Sequence, residues 1–180
     1  DFDWVVLTAP ITQTQKLLAS CNKPIPFLKN LEPIQMLPCY TLLIGLNKVL
    51  DISYDIGLVE DGVIESIHNN ARRPNAEGMQ KTLVVHSSKQ WAAEHMEYDS
   101  TEVSALMKKQ LKSYIKLNDI EYEALHTWKY GFIDQPCTQR YLADETMALG
   151  VCGDGFIASG VEAAYRSAYF LAEYLEYQLA

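Results

Sequence analysis

Long apolar runs are missing from this 180-residue chain. The longest, Tyr40–Leu46, falls far short of the roughly 18 residues a membrane span requires. Basic residues are also few. Lys and Arg number 15 against 23 Asp and Glu, a formal charge of −8, which disfavours a nucleic-acid partner or an anionic membrane surface. Cysteine is scarce. Cys21, Cys39, Cys137 and Cys152 form no C-x-x-C pair and no disulfide framework, so they read as scattered thiols in a reducing cytoplasm. The four histidines are equally dispersed, and no metal-ligand constellation stands out. There is no internal repeat, no low-complexity tract and no charged-then-apolar leader. The chain opens Asp1-Phe2-Asp3-Trp4, without Met and almost directly into a strand, and is expected to be a fragment of a longer protein.

What is present is ordinary for a globular protein: 48% hydrophobic and 21% charged residues. Trp4–Ala9 reads as a short buried strand ended by Pro10. Thr12–Ser20 is helix-compatible, with Leu17 and Leu18 facing inward. Residues 22–38 carry four prolines and read as a linker-like crossing. Strand patterns follow at Tyr40–Leu50, Asp55–Glu60, Val63–Asn70 and Lys81–His86. Asp61-Gly62 makes a hairpin turn, and Arg72-Arg73-Pro74 opens a loop to Gly78. Ser88–Met96 predicts a short helix. Residues 100–117 predict a longer one, capped by Asp99, with Val103, Leu106, Met107, Leu111, Tyr114 and Leu117 as its core stripe.

Glu121–Phe132 predicts a strand with Tyr122, Ala124, His126, Trp128, Tyr130 and Phe132 on one face, because residues two apart share a face. That face suits either a bulky core or the wall of a cavity for a flat ligand. Near the end, Met147–Asp154 predicts a buried strand ending in Gly-Asp, then a loop over Gly155–Gly160. A terminal helix Val161–Leu179 follows, with an inward stripe of Val161, Ala164, Ala168, Leu171, Ala172, Leu175 and Leu179, and a Glu162–Arg166 pair outside. A strand end and a helix start bring backbone N–H groups and a positive dipole end to one spot. Asp154 can accept hydrogen bonds from ribose-like or ribityl hydroxyls, and Ala163, Ala164, Ser167 and Ala168 leave room for a bulky group. The run Gly153–Ala158 also spells G-x-G-x-x-A, but no second parallel strand follows it, so it is not a complete dinucleotide fingerprint.

Three stretches carry a family likeness: Trp4–Pro10, His126-Thr127-Trp128-Lys129-Tyr130-Gly131, and Leu149–Ala168. Ile67–Pro74 and Val84–Trp91 fit as well. Nearly the whole chain, in order, resembles the C-terminal part of renalase-like, flavin-containing amine oxidases. The resemblance implies an FAD-dependent oxidoreductase that transfers a hydride from an amine or a dihydronicotinamide-type substrate to flavin, with oxygen re-oxidising it. It implies that Thr8, Ala9, Pro10, Gly153, Asp154, Gly160, Val161 and Glu162 lie at the FAD. It implies that His126, Trp128 and Tyr130 wall the substrate cavity. No catalytic nucleophile and no metal ligand are implied. The phosphate-binding βαβ unit is not among these residues, so the expected partners are a small-molecule substrate and a preceding FAD-binding segment, and these residues alone are expected to be inactive. Where the family has Trp after Gly-Asp, this chain has Gly155, which is expected to open the site. Ala163 and Ala168 replace family glycines, and Thr127 and Lys129 replace arginines.

The expected fold is α/β with α+β character: a mixed, mostly antiparallel sheet of about five strands backed by helices, with a terminal strand and helix from an incomplete FAD-binding domain. The expected division is 1–20 and 140–180 in that domain and 21–139 in the substrate domain. The alternative is a free-standing α/β ligand- or protein-binding module that has lost the cofactor.

Overall fold

The computed structural model describes residues 2–50, 52–70, 73–75, 81–117 and 119–180. It divides into two compact units, Asp1–Leu37 with Tyr130–Ala180, and Pro38–Lys129.

The second unit is built on a five-stranded sheet ordered β3-β4-β5-β2-β6, from β2 (Gln35–Leu46), β3 (Ile56–Leu58), β4 (Ile64–Asn69), β5 (Thr82–Ser87) and β6 (Ile120–Gln135). The pairs β3/β4, β4/β5 and β2/β5 are antiparallel. This is the mostly antiparallel, helix-backed sheet that the strand patterns predict. Alternation divides its faces. Tyr40, Leu42, Ile44 and Leu46 of β2 join Leu83 and Val85 of β5 in one core. The helices α3 (Lys89–Glu94) and α4 (Ser100–Leu111) close it with Trp91, Ala92, Val103, Met107 and Leu111. The hairpin turn is where the sequence places it: the Asp61 carboxylate accepts hydrogen bonds from the Val63 and Ile64 N–H groups, both at 2.8 Å. The Asp99 cap is also as read, accepting from Thr101 N–H, and the structure adds a second cap, Ser88, which accepts from Trp91 N–H. Of the loop expected after β4, Arg72 and Gly78 lie outside the described residues.

The expected helix over 100–117 ends earlier, at Leu111. Beyond it the amide groups of Ser113 and Tyr114 bond back three residues, to Gln110 and Leu111 carbonyls, and the chain tightens into a turn. Tyr114 is therefore not core. It is half-exposed, and its hydroxyl donates to Asp61.

In the first unit β1 (Val5–Leu7) runs parallel to β8 (Leu149–Val151), which pairs antiparallel with β7 (Leu142–Asp144). Around this small sheet stand α1 (Ile11–Ala19), α2 (Leu28–Leu31) and α5 (Val161–Leu179). β1 is not the buried strand expected, since Val5 and Val6 are exposed, and three further details differ from the sequence reading. In α1 the inward residues are Ile11, Thr14 and Leu18, while Leu17 is exposed. Adjacent residues on a helix stand about 100° apart, so Leu17 and Leu18 do not share the inward face. The proline-bearing stretch 22–38 is no bare linker: Ile25, Phe27, Leu31 and Ile34 are buried in the core with Leu142, Val151 and Phe156. Its prolines break a continuous helix without preventing the apolar residues between them from packing.

The third difference concerns α5. Its buried line is Ala163, Ser167 and Leu171, at i, i+4 and i+8, not the line through Val161, Ala164 and Ala168. Ser167 is buried because it has a partner: its Oγ accepts the Gly153 N–H at 3.1 Å. The helix sits close to the sheet because β8 carries Gly150 there. A Cβ at Gly150 would stand 3.1 Å from a Leu171 methyl group.

Candidate functional site

The displaced stripe of α5 faces a cleft. Val161, Ala164 and Ala168 form one wall, with Gly160 at the helix start. Cys152, Gly153 and Asp154, which follow β8, form the second. Thr8 and Pro10, between β1 and α1, form the third, and Met36, Tyr130 and Gly131 complete it. The cleft has a volume of about 560 Å³ and is lined from the first unit alone. Six of the eight residues expected at the cofactor therefore share one cavity: Thr8, Pro10, Gly153, Asp154, Gly160 and Val161. Ala9 and Glu162 do not line it. The Ala9 carbonyl accepts from the Thr14 hydroxyl, and the Glu162 carboxylate stands 3.9 Å from Arg166 on the exposed side of α5.

Local backbone conformation makes the cleft. Gly153 has φ +149° and Gly160 φ +102°, both in the region that favours glycine. A Cβ built at either would meet no atom within 4 Å, so both positions open onto free space. No side chain caps α5. The first-turn N–H groups of a helix have no intrahelical acceptors, so this end presents unshared donors and the positive end of the helix dipole.

The loop that carries Gly153 and Asp154 is held in place. Cys137 N–H donates to Gly155 carbonyl at 2.8 Å, Ile157 N–H donates to Cys137 carbonyl at 3.0 Å, and Ile133 N–H donates to Ser159 Oγ at 3.4 Å. Ile157 takes φ +69°, an outlier for a β-branched residue. Strain of this kind persists only where the surroundings over-determine it. A rigid loop beside an open helix end is a pre-organised anion or dipole site.

Cys152 lines the cleft, but burial pushes its thiol pKa upward. It stays protonated at neutral pH and is no activated nucleophile. Gly155 does not open the site as expected. It is buried, and a Cβ there would lie 3.4 Å from Ile11 of α1. Of the small residues expected to leave room, only Ala164 and Ala168 line the cleft. Ala163 and Ser167 are turned into the protein by the helical period. The sequence reading missed Met36, Gly131 and Cys152. A glycine inside a strand, as at Gly131, is a signal of close approach that could have been used.

His126 and Trp128 belong to the second unit and do not line this cleft. They lie on the face of β6 away from α4. On the near face, the Glu123 carboxylate accepts from Ser104 of α4 and pairs with Lys108 at 2.5 Å. The far face is no core: Tyr122 is 58% and Trp128 51% exposed. The His126 and Trp128 rings meet edge-on, with centroids 4.1 Å apart.

Among the described residues no helix is long and apolar enough to cross a membrane, and no three His, Cys, Asp or Glu side chains are placed to hold a metal ion. No family model matches the sequence. Among solved structures the chain is similar to a protein from Exiguobacterium sp. 255-15 assigned provisionally as a protoporphyrinogen oxidase. The two superpose with a TM-score of 0.73 at 15% identity, over 98% of this chain. The likeness shows the fold. This chain spans 41% of that protein's length.

Proposed function

We propose that these residues are the substrate domain, together with the closing strand and helix of the cofactor domain, of an FAD-dependent oxidoreductase acting on an amine or a dihydronicotinamide-type substrate. The observation that carries this reading is the convergence of the β1 turn, the Gly153-Asp154 loop and the open end of α5 on one cleft. The superposition on a protein assigned as an oxidase is consistent with it. The site also fits the group: the two glycine positions leave free space where a side chain would stand, and the helix end offers unshared donors.

In this reading Asp154 would accept hydrogen bonds from ribityl hydroxyls, and the backbone around Gly153 would hold the pyrophosphate. The N–H donors at the open start of α5, beside Gly160 and Val161, would meet the pyrimidine edge, where negative charge gathers on reduction. Bound FAD would supply the chemistry, accepting a hydride from a carbon donor and passing the electrons to oxygen. The chain's own residues bind, orient and keep water away. Ala164 and Ala168 let a flat ring lie close to the helix, and Tyr130 closes the cleft with an aromatic ring. The edge strand β1 supports the view that further chain completes this domain. Its Val5 and Val6 are both exposed, on opposite faces of a strand that forms an edge of its sheet among the described residues. The reading places the protein in the cytoplasm, in keeping with its free thiols.

Calorimetric titration of FAD into the complete protein tests this. Binding is expected, weakened about tenfold by Asp154→Ala through the lost hydrogen bonds and abolished by Ala168→Phe, which fills the cleft from an exposed position. No binding, or binding that neither variant affects, overturns the reading and leaves the free-standing binding module in its place.

A further inference from the structure

Strand β3 leaves one edge of the five-stranded sheet open among the described residues. Its pairing with β4 fixes which backbone groups point outward. Val59 N–H donates to the Glu65 carbonyl at 2.9 Å, and Asn69 N–H donates to the Asp55 carbonyl at 2.8 Å. Bonded positions alternate in an antiparallel ladder, so Asp55, Gly57 and Val59 turn their backbone groups to β4. Ile56 and Leu58, between them, turn N–H and C=O to the open edge. Their side chains are exposed as well, Leu58 by 82%. Natural proteins guard such edges with a charge, a proline or a bulge. The run Ile56-Gly57-Leu58 carries none of these. A groove of about 520 Å³ follows the edge, with Tyr54, Ile67 and Tyr114 beside the strand. Its two ends differ in charge. The exposed Glu60 lines it just past β3. At the other end Tyr54 leads into a second cavity, lined by Ser53 and the exposed Lys116. Of the two other carboxylates nearby, Asp61 is already bound by Val63 and Ile64 N–H, the Gln110 amide and the Tyr114 hydroxyl. Asp55 falls on the face opposite Ile56 and Leu58 by strand alternation.

We propose that β3 is a self-association edge, through which two copies of the protein pair antiparallel about a two-fold axis at Gly57. The axis makes the short strand self-complementary. Ile56 and the partner's Leu58 stand opposite each other and exchange both ladder bonds, and the same pair recurs on the other side of the axis. The two copies of Gly57 then form the close, non-bonded pair between them, where the missing side chain lets the backbones approach. The axis also carries the Glu60 end of each copy to the Lys116 end of the other, so opposite charges meet twice. A strand with opposite charges at its two ends suits a two-fold copy of itself better than an unrelated peptide. The contact is smaller than a standard interface, so the dimer is transient, with a Kd of roughly 0.1 mM. It is independent of any bound cofactor.

The test is sedimentation equilibrium of the complete protein from roughly 10 µM to 1 mM, a range that brackets the expected Kd, with amide hydrogen exchange followed by NMR at both ends. A concentration-dependent dimer is expected, with the Ile56 and Leu58 amides protected only at the higher concentration. Leu58→Lys changes a largely exposed side chain and puts a charge on the edge. It is expected to weaken dimerisation about tenfold or more while the circular dichroism stays unchanged. Glu60→Lys is expected to weaken it about three- to tenfold, and adding Lys116→Glu to the same chain is expected to restore it. That rescue reads the two-fold register itself, which a general loss of folding cannot imitate. A protein that stays monomeric at the highest concentration overturns the proposal. So does a dimer that Leu58→Lys leaves intact, or a charge swap that restores nothing. Ile56 and Leu58 amides protected at every concentration also overturn it, and give the edge to a segment of the protein's own chain.

Discussion

Ser167 Oγ, fully buried on α5, accepts the N–H of Gly153 at 3.1 Å. That bond ties the helix whose free end lines the cleft to the loop that carries Asp154. Ser167→Ala leaves a donor without its acceptor and is expected to cost about 1–3 kcal/mol of stability. Urea denaturation measures it. A change within a few tenths of a kcal/mol would show that the loop does not depend on this bond.

Gly150 and Leu171 set the spacing between β8 and α5. Adding a Cβ at Gly150 brings it within 3.1–3.2 Å of both Leu171 methyl groups. Gly150→Ala is expected to destabilise by about 1–3 kcal/mol through overpacking. In a double-mutant cycle with Leu171→Ala the two changes should couple, the second relieving part of the first. Strictly additive effects would mean that the helix shifts freely on the sheet.

Ala148 takes φ +48° in the turn before β8. An L-residue with a Cβ is strained there, and glycine is not. Ala148→Gly is expected to raise stability by about 1 kcal/mol, read as a higher denaturation midpoint with an unchanged slope. A lower midpoint would contradict the strain argument.

His68 and His86 should make stability depend on pH. Burial lowers both pKa values. Arg73 lowers them further, and His68 also lowers that of His86, against an upward pull from Glu65. The unfolded chain therefore takes up protons first as pH falls below about 6.5, while the folded imidazoles stay neutral. Their contribution is complete above the unfolded pKa and is lost as pH falls through the folded one. Denaturation midpoints should fall between about pH 7 and pH 5, and His86→Gln should flatten that slope. A slope identical in the variant would remove His86 from the account.

Features fixed by neighbours in the chain were readable from sequence. The Asp61-Gly62 turn, the Asp99 cap and the two-residue alternation of β6 depend on side chains a few residues apart, and each stands where the sequence puts it. Features fixed by distant partners were not. Strand order, with β2 between β5 and β6, comes from pairings separated by tens of residues. The rotation of α5 was misjudged because apolarity alone favours Val161, Ala164 and Ala168 as the inward line. Packing against Gly150 and the Ser167–Gly153 bond turn the helix the other way. The small residues then serve the cleft. Six of eight expected cofactor residues were found together because they sit at a strand end, a turn and a helix start, where backbone geometry, not side-chain packing, makes a site. Met36 comes from a strand that no local signal connects with that cleft.

Native mass spectrometry of the protein purified from its natural gene, without added cofactor, tests the central claim most directly. It reports polypeptide mass and bound ligand together. The account predicts a polypeptide that carries FAD in stoichiometric amount and loses it when unfolded. A bare polypeptide that remains bare after incubation with excess FAD would contradict it.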